Sequence, residues 1–162
     1  MEKHAHKEGN KEGAKQEARE SWDHYFMRLV DAVATRATCN RRKFGALLAR
    51  EHFILATGYN GSARGLPHCT EVGCKLIHGH CVRTIHAEQN AIISAARNGI
   101  NVNGATLYSS GFPCLICAKL LVNLGIKRIV YREMYFRDDY KEELEFTHEL
   151  FKEAGIETVQ LK

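Results

Sequence analysis

At 162 residues the chain is long enough to bury a core without disulfide or metal staples, and it reads as a single folded domain. Its composition, 44% hydrophobic and 26% charged with a net charge of +4, is that of an ordinary globular protein. No apolar run approaches the roughly 20 residues that cross a bilayer. So mild a charge excess argues against a nucleic-acid-coating surface, though it suits a small anionic ligand.

Residues 1–20 are Lys, Glu, Gly and His with almost no apolar content, so a disordered polar tail is expected, with the folded domain over 21–162. The tail lacks the apolar segment of a secretory signal, which points to a cytoplasmic setting. Ser21 is placed to cap a helix over 22–37, in which Trp22, Phe26, Leu29, Val30 and Val33 recur at helical spacing as a buried stripe. Two apolar runs, 44–48 and 53–59, flank Arg50-Glu51-His52 and predict an antiparallel hairpin. Residues 60–84 show no periodicity, and a loop that long in a small domain is usually functional. A regular alternation follows: helix 86–98 stopped by Gly99, strand 105–110, helix 114–124 ending near Gly125, strand 127–132, helix 138–154 stopped by Gly155, and strand 156–161. This order predicts an α/β fold with a mixed, largely parallel sheet between helices.

Two motifs carry the chemistry. His86-Ala87-Glu88 opens one predicted helix, and Pro113-Cys114-Leu115-Ile116-Cys117 opens another 28 residues on. One imidazole and two thiols make a three-ligand zinc set, which leaves the fourth position for water and so marks a catalytic site. Thiolates are favoured at helix N-termini by exposed N–H groups and the helix dipole. Glu88 is then free to move protons; as a fourth ligand it would close the water position. His-x-Glu followed by Pro-Cys-x-x-Cys is the signature of zinc-dependent nucleobase deaminases.

Of the six cysteines, four lie outside that motif: Cys39, Cys69, Cys74 and Cys81. Thiols in a reducing compartment read as metal ligands before disulfides. Four of them make a closed structural zinc site that would hold the long loop in place, with His68, His78 and His80 as alternative donors.

Beyond the zinc motif, Ser21-Trp22-Asp23, Tyr25-Phe26-Met27, Thr38-Cys39, Gly58-Tyr59-Asn60-Gly61, Arg83-Thr84, His86 to Ile92, Gly104 to Tyr108 and Pro113 to Lys119 resemble the deoxycytidylate (dCMP) deaminase family over about residues 21–136. The resemblance implies the cytidine deaminase-like three-layer fold, a five-stranded mixed sheet flanked by helices, and a homo-hexamer. It implies hydrolysis of dCMP to dUMP and ammonia, feeding thymidylate synthesis, with dCTP and dTTP as effectors near the Gly-Tyr-Asn-Gly element. It places catalytic zinc on His86, Cys114 and Cys117, proton transfer on Glu88 and a substrate contact on Tyr135. Some members also carry a second zinc, whose ligands fall on Cys39 and Cys69. Family members often have proline where Ala63 stands, followed here by Arg64, which puts effector control in question.

Asn60 and the backbone at Ala87 are candidate substrate contacts, although Asn60-Gly61 is equally a turn dipeptide. Tyr135 near a strand end is equally a core position. Arg41 and Arg42, with Tyr59 and Gly61, are candidates for phosphate or effector binding; the basic run 40–43 also reads as a solvated surface. Two rival functions remain at this stage: deamination of adenosine in tRNA, and a non-catalytic nucleotide-binding module associated with competence.

Overall fold

The computed structural model describes residues 19–134 and 140–162. The chain forms α1 (Trp22–Ala34), β1 (Gly45–Arg50), β2 (Phe53–Tyr59), β3 (Gly61–Ser62), α2 (Cys69–Val72), β4 (Leu76–Ile77), β5 (His80–Cys81), β6 (Thr84–Ile85), α3 (Ala87–Arg97), β7 (Thr106–Gly111), α4 (Leu115–Asn123), β8 (Arg128–Glu133), α5 (Lys141–Glu153) and β9 (Glu157–Gln160). The predicted tail lies almost wholly outside the described residues, as does Tyr135.

One sheet has five strands in the order β2–β1–β7–β8–β9. β1 runs antiparallel to both β2 and β7, while β7, β8 and β9 run parallel. The sheet is therefore evenly mixed, not largely parallel as predicted. α3 carries the chain from β2 across β1 to β7, so β1 is flanked by two strands that both oppose it.

Side-chain alternation along the strands divides the core between two faces. Leu47, Ala49, Tyr108 and Val130 meet Phe26, Met27 and Val30 of α1 on one face. Ala46, Leu48, Ala56, Leu107, Ile129 and Tyr131 pack with Ala87, Ala91, Ala118, Leu121 and Phe151 of α3, α4 and α5 on the other. Three layers result. β1, covered on both sides, is buried from Gly45 through Ala49.

The buried stripe of α1 is Phe26, Met27, Val30 and Ala34, displaced from the predicted one. Leu29 and Val33 are only half-buried, and Trp22 is 40% exposed. The Trp22 ring stacks on His52 in the β1–β2 turn, with centroids 4.1 Å apart, instead of entering the core. α1 is pinned to the sheet by Asp23, whose two oxygens each accept a 2.8 Å hydrogen bond from Arg128 Nη1 and Nη2. Tyr108 Oη donates to the same carboxylate at 2.9 Å.

α3, α4 and α5 end at Gly99, Gly125 and Gly155, all with positive φ, as the sequence predicts. Gly58 has a different reason to be glycine. A Cβ there would meet the backbone of α3, lying 2.8 Å from the carbonyl carbon of Asn90 and closer still to Ala91 N and Ala87 O. The absent side chain lets α3 lie directly on β2.

Candidate active site

Two helix N-termini converge on one point. β6 ends at Ile85 and α3 begins at Ala87, leaving His86 as its N-cap in extended backbone, with Gln89 Oε1 accepting from His86 N at 3.1 Å. β7 runs out through Phe112-Pro113 to Cys114, the N-cap of α4. His86 Nδ1 lies 3.4 Å from Cys114 Sγ and 3.5 Å from Cys117 Sγ. Nitrogen and sulfur bound to one tetrahedral zinc stand about 3.5 Å apart, given bonds of about 2.0 and 2.3 Å. The three donors, all within 4.8 Å of one another, fit that ion. Hydrogen bonding from Cys117 holds Cys114 below the ordinary thiol range, while the thiolate of Cys114 holds Cys117 above it and raises His86.

Glu88, in the first turn of α3, is buried at 8% exposure beside this cluster. Burial raises its pKa above the ordinary carboxylate value; His86 and a hydrogen bond with the buried Ser109 oppose that rise. A buried carboxyl whose charged form is disfavoured suits a group that both accepts and returns a proton.

These groups open into a cavity of about 900 Å³, also lined by Arg41, Arg42, Phe44, Asn60, His80, Ala87, Phe112, Tyr140 and Thr147. That volume suits a nucleotide-sized ligand. Of the predicted contacts, Asn60, Ala87, Arg41 and Arg42 line the cavity; Tyr59 and Gly61 do not. Asn60 is buried, and both ends of its amide grip the preceding loop: Oδ1 accepts from Phe44 N at 2.8 Å and Nδ2 donates to Arg42 O at 3.0 Å. It clamps the cavity wall. Tyr59 O accepts from Asn90 Nδ2 at 2.7 Å, and Gly61 pairs with Ile85 in the β3–β6 ribbon.

The long loop holds a second donor set. Cys69, Cys74 and Cys81 bring their sulfurs within 4.8 Å of one another. Cys69 and Cys81 are 3.7 Å apart, close to the roughly 3.8 Å between two sulfurs on a tetrahedral zinc. Cys39 is not among these three; its sulfur instead accepts from Arg41 N at 3.4 Å. His68 caps α2 next to Cys69, and its buried Nδ1 has no partner among the described residues. Sequence reasoning missed Ser109, Thr84 (whose hydroxyl donates to Cys81 Sγ at 3.4 Å), Phe112 and Tyr140. A lone Ser, Thr or aromatic carries no spacing signal that would single it out.

Residues 20–133 match the family model of the cytidine and deoxycytidylate deaminase zinc-binding region. The chain belongs to this deaminase family. Among its relatives, ComE operon protein 2 of Bacillus subtilis is 40% identical over 142 residues, covering 88% of this chain and 72% of that protein. The deoxycytidylate deaminase of Saccharomyces cerevisiae is 38% identical over 144 residues, covering 85% of this chain but 44% of the yeast protein, so the chain spans less than half of its length. The solved dCMP deaminase of cyanophage S-TIM5, in complex with dCMP and dUMP, superposes with a TM-score of 0.72 at 27% identity. That match covers 85% of this chain and 95% of the phage protein.

Proposed function

We propose that this chain hydrolyses dCMP to dUMP and ammonia. The observation that carries the reading is the buried Glu88 set beside a three-donor zinc cluster on the floor of a nucleotide-sized cavity. Zinc held by His86, Cys114 and Cys117 would supply an acidified water, its pKa lowered from about 15.7 toward about 7. Glu88 takes a proton from the attacking water as a C–O bond forms at carbon 4 of cytosine, and delivers it to ring nitrogen 3. The second proton of that water passes from the new hydroxyl by way of Glu88 to the amino group, which leaves as ammonia as the C4–N4 bond breaks and the carbonyl forms. Glu88 ends as it began, so water and dCMP balance dUMP and ammonia. Ala87 lines the same cavity, and Arg41 and Arg42 supply positive charge for an anionic substrate.

The names of the yeast and phage relatives support dCMP as substrate, and an intact, buried Glu88 argues against a non-catalytic module. The second zinc belongs to the same proposal, on Cys69, Cys74 and Cys81 with Cys39 or His68 completing the set. So do a cytoplasmic setting, in keeping with six free thiols, and effector control by dCTP and dTTP, which rests on the resemblance of the Tyr59–Gly61 element. Assembly into a homo-hexamer rests on the family resemblance; exposed Phe53 and Ile54 on the edge strand β2 and Ile93 on α3 suit a contact between copies.

The decisive experiment is Glu88→Gln. The variant is expected to keep its zinc and lose turnover of dCMP by about 10²- to 10⁴-fold, the usual share of general acid–base catalysis. Wild-type turnover in that variant overturns the mechanism. Offering dCMP, dCTP, CMP, deoxycytidine and a tRNA stem-loop in parallel separates the substrate classes; turnover confined to the RNA would reassign the enzyme.

A further inference from the structure

Ser109 lies at the middle of the sheet, behind the cavity floor. β7 is the central strand of the five, and Ser109 on it pairs with Ala46 of β1 and Tyr131 of β8. Its backbone is therefore held from both sides, and the residue is only 1% exposed. The surroundings are apolar. Its two cross-strand partners, and Leu107 two positions earlier on the same face, belong to the cluster that packs with Ala87 and Ala91 of α3. A hydroxyl buried in such company is costly unless it is hydrogen-bonded. The partner of Ser109 is Glu88, whose carboxylate also bonds to its own backbone N–H.

The two side chains stand in series. Glu88 lines the cavity and Ser109 does not, so the hydroxyl meets the carboxylate from the protein side. The hydroxyl donates, since an ionised carboxylate only accepts. A free glutamate side chain samples many rotamers, and fixing one costs up to about 2 kcal/mol. A donor on the central strand, itself bonded to both neighbours, offsets that cost before any ligand arrives. It engages the carboxylate from behind and leaves an oxygen for the cavity. Glu88 has to meet a water, a ring nitrogen and an amino group in turn, and a misplacement near 1 Å costs about a hundredfold in rate.

We propose that Ser109 is the positioning residue for Glu88: its hydroxyl holds the carboxylate from behind the cavity and turns the free oxygen toward the reacting atoms. This rests on the reading of the reaction as dCMP deamination. Ser109→Ala removes the hydroxyl. Ser109→Thr and Ser109→Val make the closer comparison, because they add the same shape at a strand position that accepts β-branched residues and only threonine keeps the hydroxyl. Zinc content, kcat and KM for dCMP are measured on each metal-loaded variant. The infrared carboxyl band of Glu88, identified as the band that Glu88→Gln lacks, is recorded on the same samples.

Ser109→Ala and Ser109→Val are expected to keep their zinc and to lose kcat by about tenfold to a hundredfold, the span of one hydrogen bond to a charged group. KM should move by less than about twofold, as it does when an interaction used in the transition state is removed. The carboxyl band should shift in the same two variants, and Ser109→Thr should bring both kcat and the band back toward wild type. Equal kcat in the threonine and valine variants, an unshifted band in Ser109→Ala, or a raised KM with kcat unchanged overturns the proposal. Wild-type protein that leaves dCMP intact would instead overturn the assigned reaction, and the infrared band would still decide whether Ser109 holds Glu88.

Discussion

Replacing Gly58 with alanine tests whether the close approach of α3 to β2 is what aims the active site. The added Cβ would lie 2.8 Å from the carbonyl carbon of Asn90. Carbon atoms rest at about 3.5–4.0 Å, so the helix must retreat by about 0.7 Å there, and further at Ala91 N and Ala87 O. The obstacles are backbone atoms, so no rotamer change relieves them. Ala87 lies between His86 and Glu88, and the retreat is therefore delivered at once to the proposed metal ligand and the proposed proton carrier.

Overpacking of this kind costs about 1–3 kcal/mol. For a domain of this size each kcal/mol lowers Tm by about 2–4 °C, so a fall of roughly 2–12 °C is expected. A misplacement near 1 Å costs about a hundredfold in rate. Calorimetric melting and steady-state turnover of dCMP on the same zinc-loaded preparation check both figures. A Gly58→Ala protein with wild-type Tm and wild-type kcat would refute the argument that this contact positions the site.

Two further outcomes are expected. The hydrogen bonds from Arg128 hold Asp23 below its usual pKa of 3.8. The stability they contribute is present above that value and is lost as pH falls through the lower folded one. Asp23→Asn should therefore cost about 1–2 kcal/mol at pH 7, discounted for partial exposure, and the Tm gap should narrow below about pH 4; a gap independent of pH would sink this account. Metal analysis should find about two zinc ions per chain and about one in Cys74→Ser, since structural sites fail when a thiolate ligand is removed. The same measurement on Cys39→Ser and His68→Gln identifies the fourth donor as the one whose loss releases metal, while one zinc in the wild type would remove the second site altogether.

Most of the secondary structure was legible because its signals are local. The glycines that stop α3, α4 and α5, the turn between β1 and β2 and the helix cap at Ser21 each act over a few residues. The groupings of His86 with Cys114 and Cys117, and of Cys69 with Cys74 and Cys81, were legible because donor types and order leave few arrangements, while Cys39, expected with the second group, does not lie in it. The stripe of α1 was misjudged because helical spacing alone left two neighbouring registers open. The sheet decided between them: Leu47, Tyr108 and Val130 receive Phe26, Met27 and Val30, leaving Trp22 on His52.

By itself, then, the sequence determined the reaction class: a three-donor zinc set with a spare carboxylate, together with the alternation that delivers both donor groups to helix N-termini. Only the tertiary structure decided what surrounds that chemistry. Gly58, read from the sequence as part of the second strand and of a family element, is where α3 rests on β2. Asn60, a candidate for touching the substrate, spends its amide on Phe44 and Arg42. His80 and Tyr140, 60 residues apart and without a motif to join them, share one wall of the cavity. The physical reason is common to all three. Their roles depend on which backbone or side chain arrives from a distant segment, and that follows from packing the layers and not from any local pattern.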